Sequence, residues 1–337
     1  MTTERSTGGR APEAATGGIL CIHPGALGDV LQSVPALAAL RALAGGTRVA
    51  IAAQSRIGRL LVGGGVTDTA LDFDGLGLAP LFADGPIPDE VAARLARFDR
   101  VVSWFGARAE PYPSRLRAVS PKAVVAAPVP DEAIPVWTHL LGTLSSLGVR
   151  PPDPLPVLAV PAAWQADADR ALADLGVPPG RPPLLVHPGA GGAAKRWPVE
   201  KMAAVVRRLA DRPAGLPGGR VVIHQGPADA EAAAALAEAL AAGPRPVPAA
   251  LLVDPPLETL AATFRAAAAY VGSDSGVSHL AAAVGALAVI VFAPGTRERW
   301  APWGPRAAGI DATAGTGDVD AAAAKLTPLL GDTPNVA

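Results

Sequence analysis

The sequence has few of the residues on which several classes of protein depend. Its 337 residues include one cysteine, which excludes an internal disulfide framework and any cysteine-rich zinc site. Lysine and arginine number 29 against 30 acidic residues, so the chain lacks the basic field of a general nucleic-acid-binding protein. The longest apolar stretch, 281–294, contains Gly285 and falls short of the ~18 residues of a membrane-spanning helix. We therefore expect a cytoplasmic protein that binds no nucleic acid.

The first residues also lack the apolar core of a secretory signal, because Glu4 is followed mainly by glycine, alanine and threonine up to Gly18. We expect residues 1–17 to be a disordered tail. The remaining length predicts two domains at about 150 residues each. Hydrophobic residues make up 50 % of the chain, which is ample for a sizeable core. The 37 glycines and 36 prolines fall just short of the ~25–30 % typical of low-complexity chains.

From Gly18 onward, short apolar runs alternate with helical stretches, a pattern typical of βα units around a parallel sheet. The strands predicted in the first part of the chain are 19–23, 48–52, 70–73, 100–103 and 123–126. Those predicted in the second part are 184–187, 220–224, 250–253, 269–272 and 288–292. Five prolines between residues 151 and 161 predict an extended linker. The sequence thus predicts an α/β protein with two Rossmann-like domains, over 18–155 and 156–337.

A short repeat follows the first predicted strand of each domain. His-Pro-Gly-Ala and a further glycine occur at 23–28 and again at 187–192. In open α/β sheets, ligands bind outside the carboxyl ends of the strands. Two such ends facing one another predict a cleft with a loop on each wall, although two glycine-rich turns can also be similar by chance.

The first of these loops carries an acidic residue, Asp29. The run Gly25-Ala-Leu-Gly28-Asp29 does not match GxGxxG, so support for a nicotinamide-dependent oxidoreductase is weak. Asp29 is either a free carboxylate that can act as a general base or the cap of a helix beginning at Val30. Ser33 and Pro35 predict the start of a further helix, with Gly45 just beyond its end.

The second loop combines small residues with a lysine. Backbone N–H groups at Gly191 and Gly192 can approach a phosphate, and Lys195 supplies a positive charge. The spacing does not match the Walker pattern, which makes a nucleoside triphosphatase a poor fit. Pro198 is predicted to begin a helix with Glu200 in its first turn. The alternative is an exposed loop with an ordinary lysine.

A third motif, Asp274-Ser-Gly-Val-Ser-His279, lies between a predicted strand and an alanine-rich helix. A helix N-terminus is an anion site, which Asp274 or Ser275 could cap. Ser275 and Ser278 could add hydroxyls to a diphosphate. His279 lies one turn after Ser275, where a packed histidine is the alternative to a functional one.

Acidic residues also follow the strand that ends at His224. Asp229 or Glu231 could accept hydrogen bonds from ribose hydroxyls, and the alternative is a charge in the first turn of an exposed helix. Two pairs, Asp72/Asp74 and Asp318/Asp320, have the spacing DxD. Neither follows a predicted strand in a convincing way, so we predict no metal site.

The order and spacing of these motifs resemble glycosyltransferase family 9, the ADP-heptose:lipopolysaccharide heptosyltransferases, from about Ile19 to Pro302. The resemblance depends on Leu27-Gly-Asp-Val30 with Pro35-Ala-Leu37, on His187-Pro-Gly-Ala with Lys195-Arg-Trp-Pro198, and on the Asp274 motif. Phe292-Ala-Pro-Gly and Trp300-Ala-Pro302 complete it. It implies a GT-B fold, in which the first of two facing domains binds the acceptor and the second binds a nucleotide-sugar.

The resemblance also implies an inverting, metal-independent transferase without a cofactor. Asp29 matches the general base, beside Gly28 on the acceptor side. The residues matching the donor site are Gly191, Gly192, Lys195, Asp274, Ser275, Gly276, Val277 and His279, with Glu231, or alternatively Asp229, near the ribose-binding acid.

The expected partners are an ADP-sugar, with heptose as the sugar, and a glycan or glycolipid acceptor at the inner face of the cytoplasmic membrane. Such an acceptor implies peripheral membrane contact. The chain departs from the family at Ala190 and Gly191, where members often have hydroxyl residues. The acceptor half carries no dense basic cluster, only Arg108, Arg115, Arg117 and Lys122, so the acceptor stays open. The alternative function is a nucleotide-sugar-binding protein without transfer activity.

Overall fold

The computed structural model describes residues 17–45, 48–212, 214–242, 244–328 and 330. Most of the predicted tail, residues 1–16, lies outside these ranges. Its last residue, Gly17, donates its N–H to the carbonyl of Arg97 at 2.6 Å. The described chain forms two parallel sheets, each flanked by helices.

The N-terminal half, from β1 to α6, is built on a five-stranded sheet. Its strands are β1 (Ile19–Ile22), β2 (Val49–Ala53), β3 (Thr69–Asp72), β4 (Arg100–Ser103) and β5 (Val124–Val125), in the order β3-β2-β1-β4-β5. Its helices are α1 (Leu27–Leu31), α2 (Val34–Ala44), α3 (Ser55–Gly63), α4 (Asp89–Leu95), α5 (Tyr112–Val119) and α6 (Val136–Gly142). Both β1 and β2 are buried at every position, as expected for parallel strands covered on two faces.

A helix between the halves, α7 (Ala162–Asp174), is followed by the six-stranded sheet of the C-terminal half, which runs from β6 to α13. Its strands are β6 (Leu184–His187), β7 (Val221–Gln225), β8 (Ala249–Val253), β9 (Ala269–Ser273), β10 (Ala288–Phe292) and β11 (Ala307–Asp311). Their order is β11-β10-β9-β6-β7-β8. The helices are α8 (Val199–Ala210), α9 (Ala230–Ala241), α10 (Leu257–Ala266), α11 (Gly276–Ala283), α12 (Arg297–Trp300) and α13 (Gly317–Leu326).

The ten predicted strands are confirmed, each within a residue of its predicted ends. The sequence prediction missed β11, an edge strand in which Ile310 is the one buried residue and the alanines and glycine give no strong strand signal. Helix α2 is also confirmed: Ser33 occupies its N-cap position and Gly45 ends it with φ +56. The Ser33 hydroxyl does not cap α2, however, and donates to the Val30 carbonyl at 2.6 Å. Pro198 lies one residue before α8, and Glu200 is in the first turn as predicted.

The two halves share an apolar cluster and a closely packed pair of helices. Leu31 and Leu37 of the N-terminal half belong to the same buried cluster as Leu280 of the C-terminal half. Helices α1 and α11 meet at two glycines, where a Cβ atom on Gly28 would lie 3.2 Å from the Cα atom of Gly276. This contact places the carboxyl end of β1 opposite that of β9.

The proline-rich linker is hydrogen-bonded to both halves. The N–H of Leu158 donates to Ala283 at 2.8 Å, and the N–H of Ala159 donates to Gly64 at 3.0 Å. The boundary predicted between residues 155 and 156 lies beside this segment and stays a prediction. Among the helices within the described ranges, none combines the length and apolar character needed to cross a membrane.

Candidate active site

A cavity of about 840 Å³ lies between the halves, at the carboxyl ends of β1, β6, β7 and β9. It receives Asp29, Arg56 and Arg59 from the N-terminal half, and Lys195, Asp229 and Asp274 from the C-terminal half. This is where ligands bind in open α/β sheets, and its size is that of a small-molecule site. The predicted cleft with a loop on each wall is therefore present.

Asp29 is the acidic residue of the N-terminal wall. It lies in the first turn of α1, because that helix begins at Leu27, three residues before the expected start at Val30. One carboxylate oxygen accepts the N–H of Ala26 at 3.3 Å. A negative charge is favourable at this end of a helix, and the half-buried carboxylate also faces the cavity. The alternative that Asp29 caps a helix beginning at Val30 is wrong, since Ala26 is the N-cap residue, and the role of Asp29 as general base stays a prediction.

Lys195 is the cationic residue of the C-terminal wall. It ends a short 3₁₀ turn over Ala193–Lys195, where its ammonium lies 2.9 Å from Oδ2 of Asp274. The same ammonium is 5.4 Å from the centre of the Trp300 ring, within the range of a cation–π interaction. These contacts hold a half-exposed positive charge at the cavity and disfavour the alternative of an ordinary surface lysine.

Asp274 is buried between two partners, directly after β9. Its Oδ1 atom lies 3.4 Å from Nε2 of His279, and its Oδ2 atom binds Lys195. Burial raises the pKa of the Asp274 carboxyl, but hydrogen bonds from His279 and Lys195 lower that pKa by more than burial raises it. The net pKa therefore lies below its usual range. Because a carboxylate repels phosphate, this arrangement favours a role for Asp274 in holding its two partners.

The start of α11 presents backbone groups to the cavity. Of the two predicted caps, Ser275 is the one observed, since its hydroxyl accepts the N–H of Ser278 at 3.2 Å. Gly276 and Val277 form the first turn and line the cavity. The prediction that the Ser278 hydroxyl binds a diphosphate is wrong: the side chain is fully buried and donates to the carbonyl of Ser273 at 2.5 Å.

His279 contacts both halves of the protein. Its Nδ1 atom lies 3.4 Å from Nε2 of Gln32, which also donates to the carbonyl of Trp300 at 3.1 Å. A Cβ atom on Gly28 would lie 3.0 Å from Cδ2 of the same ring. His279 is therefore both packed, with 2 % of its surface exposed, and part of the cavity wall.

Of the two acids predicted to bind the ribose, Asp229 is the one that lines the cavity. Glu231 is exposed on α9 and does not line the cavity, which makes it the weaker of the two candidates. Asp229 occupies the N-cap position of α9, lines the cavity, and lies 3.9 Å from Nε2 of His187. The helix start turns Asp229 inward, whereas a residue two positions later points to solvent. Of the two glycines predicted to approach a phosphate, Gly191 lines the cavity and Gly192 does not.

Two arginines of α3 were missed by the sequence reasoning. Arg56 and Arg59 line the N-terminal wall, and Nε of Arg59 lies 3.7 Å from Glu258 of α10. Helix α3 begins two residues after β2, so its first turn lies at the same carboxyl edge as Asp29. The closeness of α3 to the end of β2 is the sequence signal by which these arginines could have been found. The four basic residues singled out before, Arg108, Arg115, Arg117 and Lys122, do not line the cavity.

Two buried histidines, His187 and His224, line the cavity on its C-terminal wall. Nδ1 of His187 lies 3.1 Å from Nδ1 of His224 and 3.2 Å from the carbonyl oxygen of His224. Because a carbonyl only accepts, His187 carries its proton on Nδ1 and His224 accepts there. Burial and the neighbouring His187 lower the pKa of His224 to about 3, and burial also lowers the pKa of His187. Across the described ranges, no cluster of acidic, histidine or cysteine side chains could hold a metal ion.

Comparison with known proteins identifies the family. Residues 99–321, more than half of the chain, match glycosyltransferase family 9 (heptosyltransferase). The chain belongs to this family. It is therefore a glycosyltransferase, and the resemblance read from its motifs is confirmed. No curated protein matches the chain.

Solved structures agree with the family. A glycosyltransferase family 9 protein from Veillonella parvula superposes with a TM-score of 0.73 at 16 % identity, over 94 % of this chain and 97 % of that one. ADP-heptose lipopolysaccharide heptosyltransferase II from E. coli gives 0.69 at 21 % identity, over 93 % and 98 %. E. coli heptosyltransferase WaaC, solved with ADP, gives 0.63 at 17 %, over 91 % and 99 %. At these identities the likeness shows the fold, and the predicted GT-B arrangement of two facing Rossmann-like domains is confirmed.

Proposed function

We propose that this glycosyltransferase moves heptose from ADP-heptose to a glycan or lipopolysaccharide-type acceptor, with inversion at the anomeric carbon. The observation that supports it is one cavity in which a carboxylate of the N-terminal wall lies opposite a lysine and a helix N-terminus of the C-terminal wall. Asp29 faces the cavity opposite Lys195 and the start of α11. An inverting transfer needs a base on one face of the sugar and a stabilised leaving group on the other.

The diphosphate binds at the C-terminal wall. Lys195 gives it a positive charge, and Ser275, Gly276 and Val277 give it the backbone N–H groups of a helix N-terminus. Gly191 brings a further stretch of backbone close. These groups are in place before the reaction and stabilise the charge that develops on the leaving diphosphate, which is the task a metal ion performs in other transferases.

The nucleoside lies toward Asp229, whose carboxylate accepts hydrogen bonds from the ribose hydroxyls. The side chain sits against two glycines: a Cβ atom on Gly226 would lie 2.7 Å from its Oδ2 atom. WaaC has been solved with ADP and with ADP-2-deoxy-2-fluoro heptose, and these ligands of a protein with the same fold support ADP as the carrier.

The transfer is a single displacement. Asp29 removes the proton from the acceptor hydroxyl as its oxygen forms a bond to the anomeric carbon. The bond from that carbon to the diphosphate oxygen breaks, and its electron pair leaves with ADP toward Lys195 and α11. Because Asp29 and Lys195 come from different halves, closure of the halves brings the reacting atoms within range.

The acceptor binds along the N-terminal wall, where Arg56 and Arg59 favour an anionic sugar. The Arg59 side chain is 67 % exposed, so its 3.7 Å ion pair with Glu258 is weak and an acceptor anion can replace it. We place the enzyme in the cytoplasm, in peripheral contact with the inner membrane face that carries such an acceptor. A nucleotide-sugar-binding protein without activity is the weaker alternative, because a binder gains nothing from a carboxylate turned toward an anion site.

The donor is tested by thermal unfolding of the purified protein with ADP, GDP, UDP, CMP and NADH in turn. A ligand at 100 times its dissociation constant stabilises the folded state by about 2.7 kcal/mol. We expect a clear rise in Tm with ADP, followed by turnover of ADP-heptose. A rise with UDP or GDP alone would retain the transferase and reject heptose carried by ADP. A rise with NADH alone would reject the proposal.

A further inference from the structure

An amide from the N-terminal half lies at the end of the hydrogen-bond chain that holds Lys195. Gln32 is the C-cap residue of α1, and its side chain is fully buried. Its Nε2 atom reaches the carbonyl of Trp300 at 3.1 Å and Nδ1 of His279 at 3.4 Å, both in the C-terminal half. Gln32 therefore bridges the two halves through a single nitrogen atom.

The Trp300 carbonyl fixes the direction of the whole chain of hydrogen bonds. A carbonyl accepts only, so the Gln32 atom beside it is the NH₂ group, and the same group donates to Nδ1 of His279. Because Nδ1 accepts, the neutral imidazole carries its proton on Nε2. That atom faces Oδ1 of Asp274 at 3.4 Å, and the other oxygen of Asp274 holds Lys195 at 2.9 Å.

The geometry of α1 explains how Gln32 reaches the imidazole. Residues four apart lie on the same face of a helix, so Gly28 and Gln32 face α11 together. Gly28 lets the His279 ring lie against the backbone of α1, where a Cβ atom would come within 3.0 Å of Cδ2. Gln32, one turn later, then meets the Nδ1 edge of the ring.

The buried amide is costly in this place. Its Oε1 atom has no hydrogen-bond partner within the described part of the chain, and an unsatisfied buried acceptor destabilises the fold. A methionine would fill the same space without that cost. The contacts made by Nε2 are what distinguish glutamine from an apolar residue at this position.

We propose that Gln32 is a positioning residue for donor binding: through His279 and Asp274 it orients Lys195 toward the diphosphate from the opposite half of the protein. This step rests on the proposed function, since Lys195 is taken there as the phosphate-binding cation. Contact between the halves is thereby coupled to the donor site. Gln32 itself touches neither substrate.

Calorimetric titration with ADP tests the coupling in four proteins: wild type, Gln32→Met, His279→Asn and the double variant. We expect Gln32→Met to weaken ADP binding about three- to tenfold, the size of one hydrogen bond acting through another, and to change almost nothing once His279 is replaced. Unchanged affinity in Gln32→Met, or equal losses in both backgrounds, would overturn the proposal. Ser33→Ala is the matched control: it removes a buried hydroxyl whose only partner in the described part of the chain is the Val30 carbonyl, so it lowers Tm and leaves ADP affinity unchanged.

A second readout needs no ligand and separates this inference from the proposed function. Two-bond ¹H–¹⁵N correlation spectra report the tautomer of each of the five histidines, and loss of one signal set in His279→Asn assigns the relevant one. We expect His279 to carry its proton on Nε2. A proton on Nδ1 would overturn the chain of hydrogen bonds whether or not ADP binds. If wild type fails to bind ADP while His279 has the expected tautomer, the proposed donor is wrong, and the hydrogen bond from Gln32 to His279 is retained.

Discussion

The two walls of the cavity present their charges in different ways. On the N-terminal wall, Arg56 and Arg59 are exposed, and Asp29 is half-buried with one long hydrogen bond from its own helix. On the C-terminal wall, Asp274 is 3 % exposed and joins Lys195 to His279 through both oxygens. Charges held by internal partners need little reorganisation during a reaction, whereas exposed side chains adapt to a varied ligand. Under the proposed function, this difference would give a fixed donor site opposite an adaptable acceptor site.

A second comparison sets an ion pair that lines the cavity against one that does not. Lys201 lies 2.9 Å from the buried carboxylate of Asp318, the same distance that separates Lys195 from Asp274. The Asp318 carboxylate also accepts Trp197 Nε1 at 2.8 Å, inside the C-terminal half and away from the cavity. The chain thus contains its own control for the role of Lys195.

The largest effect is expected on the N-terminal wall. Asp29→Asn keeps an oxygen for the Ala26 N–H but removes the proposed base, so transfer should fall by roughly 10²- to 10⁴-fold. ADP affinity should not change, because the proposed donor site lies on the opposite wall. Initial rates and calorimetry on the same preparation check both statements. Wild-type turnover in this variant would remove Asp29 from the mechanism.

The contact between the walls is tested by Gly28→Ala. The added methyl group would meet both His279 and Gly276, so we expect a loss of about 1–3 kcal/mol in the free energy of unfolding. Gly142, at the end of α6, has open space around it and is the matched control. Gly142→Ala should cost nothing, and improved helix propensity should add up to about 1 kcal/mol. Equal results for the two variants in urea denaturation would mean that the halves do not pack at these glycines.

Buried histidines make stability depend on pH in both halves. Burial lowers the pKa of His23 to about 4, and burial with His187 lowers the pKa of His224 to about 3. Below 6.5 the unfolded chain therefore binds more protons than the folded one, so stability falls as the pH falls toward these values. By about pH 5 each of these histidines should have cost about 2 kcal/mol relative to neutral pH. Urea denaturation across this range measures the fall, which His224→Asn should reduce; a flat profile would contradict the pKa shifts.

The fold was predictable because its signals are local. Parallel strands buried on both faces read as short apolar runs, and Gly45 marked the end of α2 through its left-handed backbone. Helix α11 began where Ser275 predicted, since an N-cap is decided within four residues. The edge strand β11 was missed because alanine and glycine give no strand signal.

The partners of each site residue could not be predicted in the same way. Lys195 and Asp274 are 79 positions apart, and Gln32 and His279 are 247 apart, so only the folded chain brings them together. Sequence reasoning assigned Asp274 to the phosphates, whereas the structure gives its two oxygens to Lys195 and His279. Motif spacing indicates that charged groups meet at one sheet edge, and it does not indicate which of them neutralise each other.

The central claim is that the C-terminal wall holds the donor's diphosphate through Lys195. It is tested most directly by comparing the dissociation constant of ADP for Lys195→Gln with that for Lys201→Gln. Each variant leaves a buried carboxylate without its cation, so both should lose stability. We predict that Lys195→Gln weakens ADP binding by roughly 10- to 100-fold, as expected for a lost charge-assisted contact, and that Lys201→Gln binds as wild type does. Equal affinity in the two variants would contradict the account.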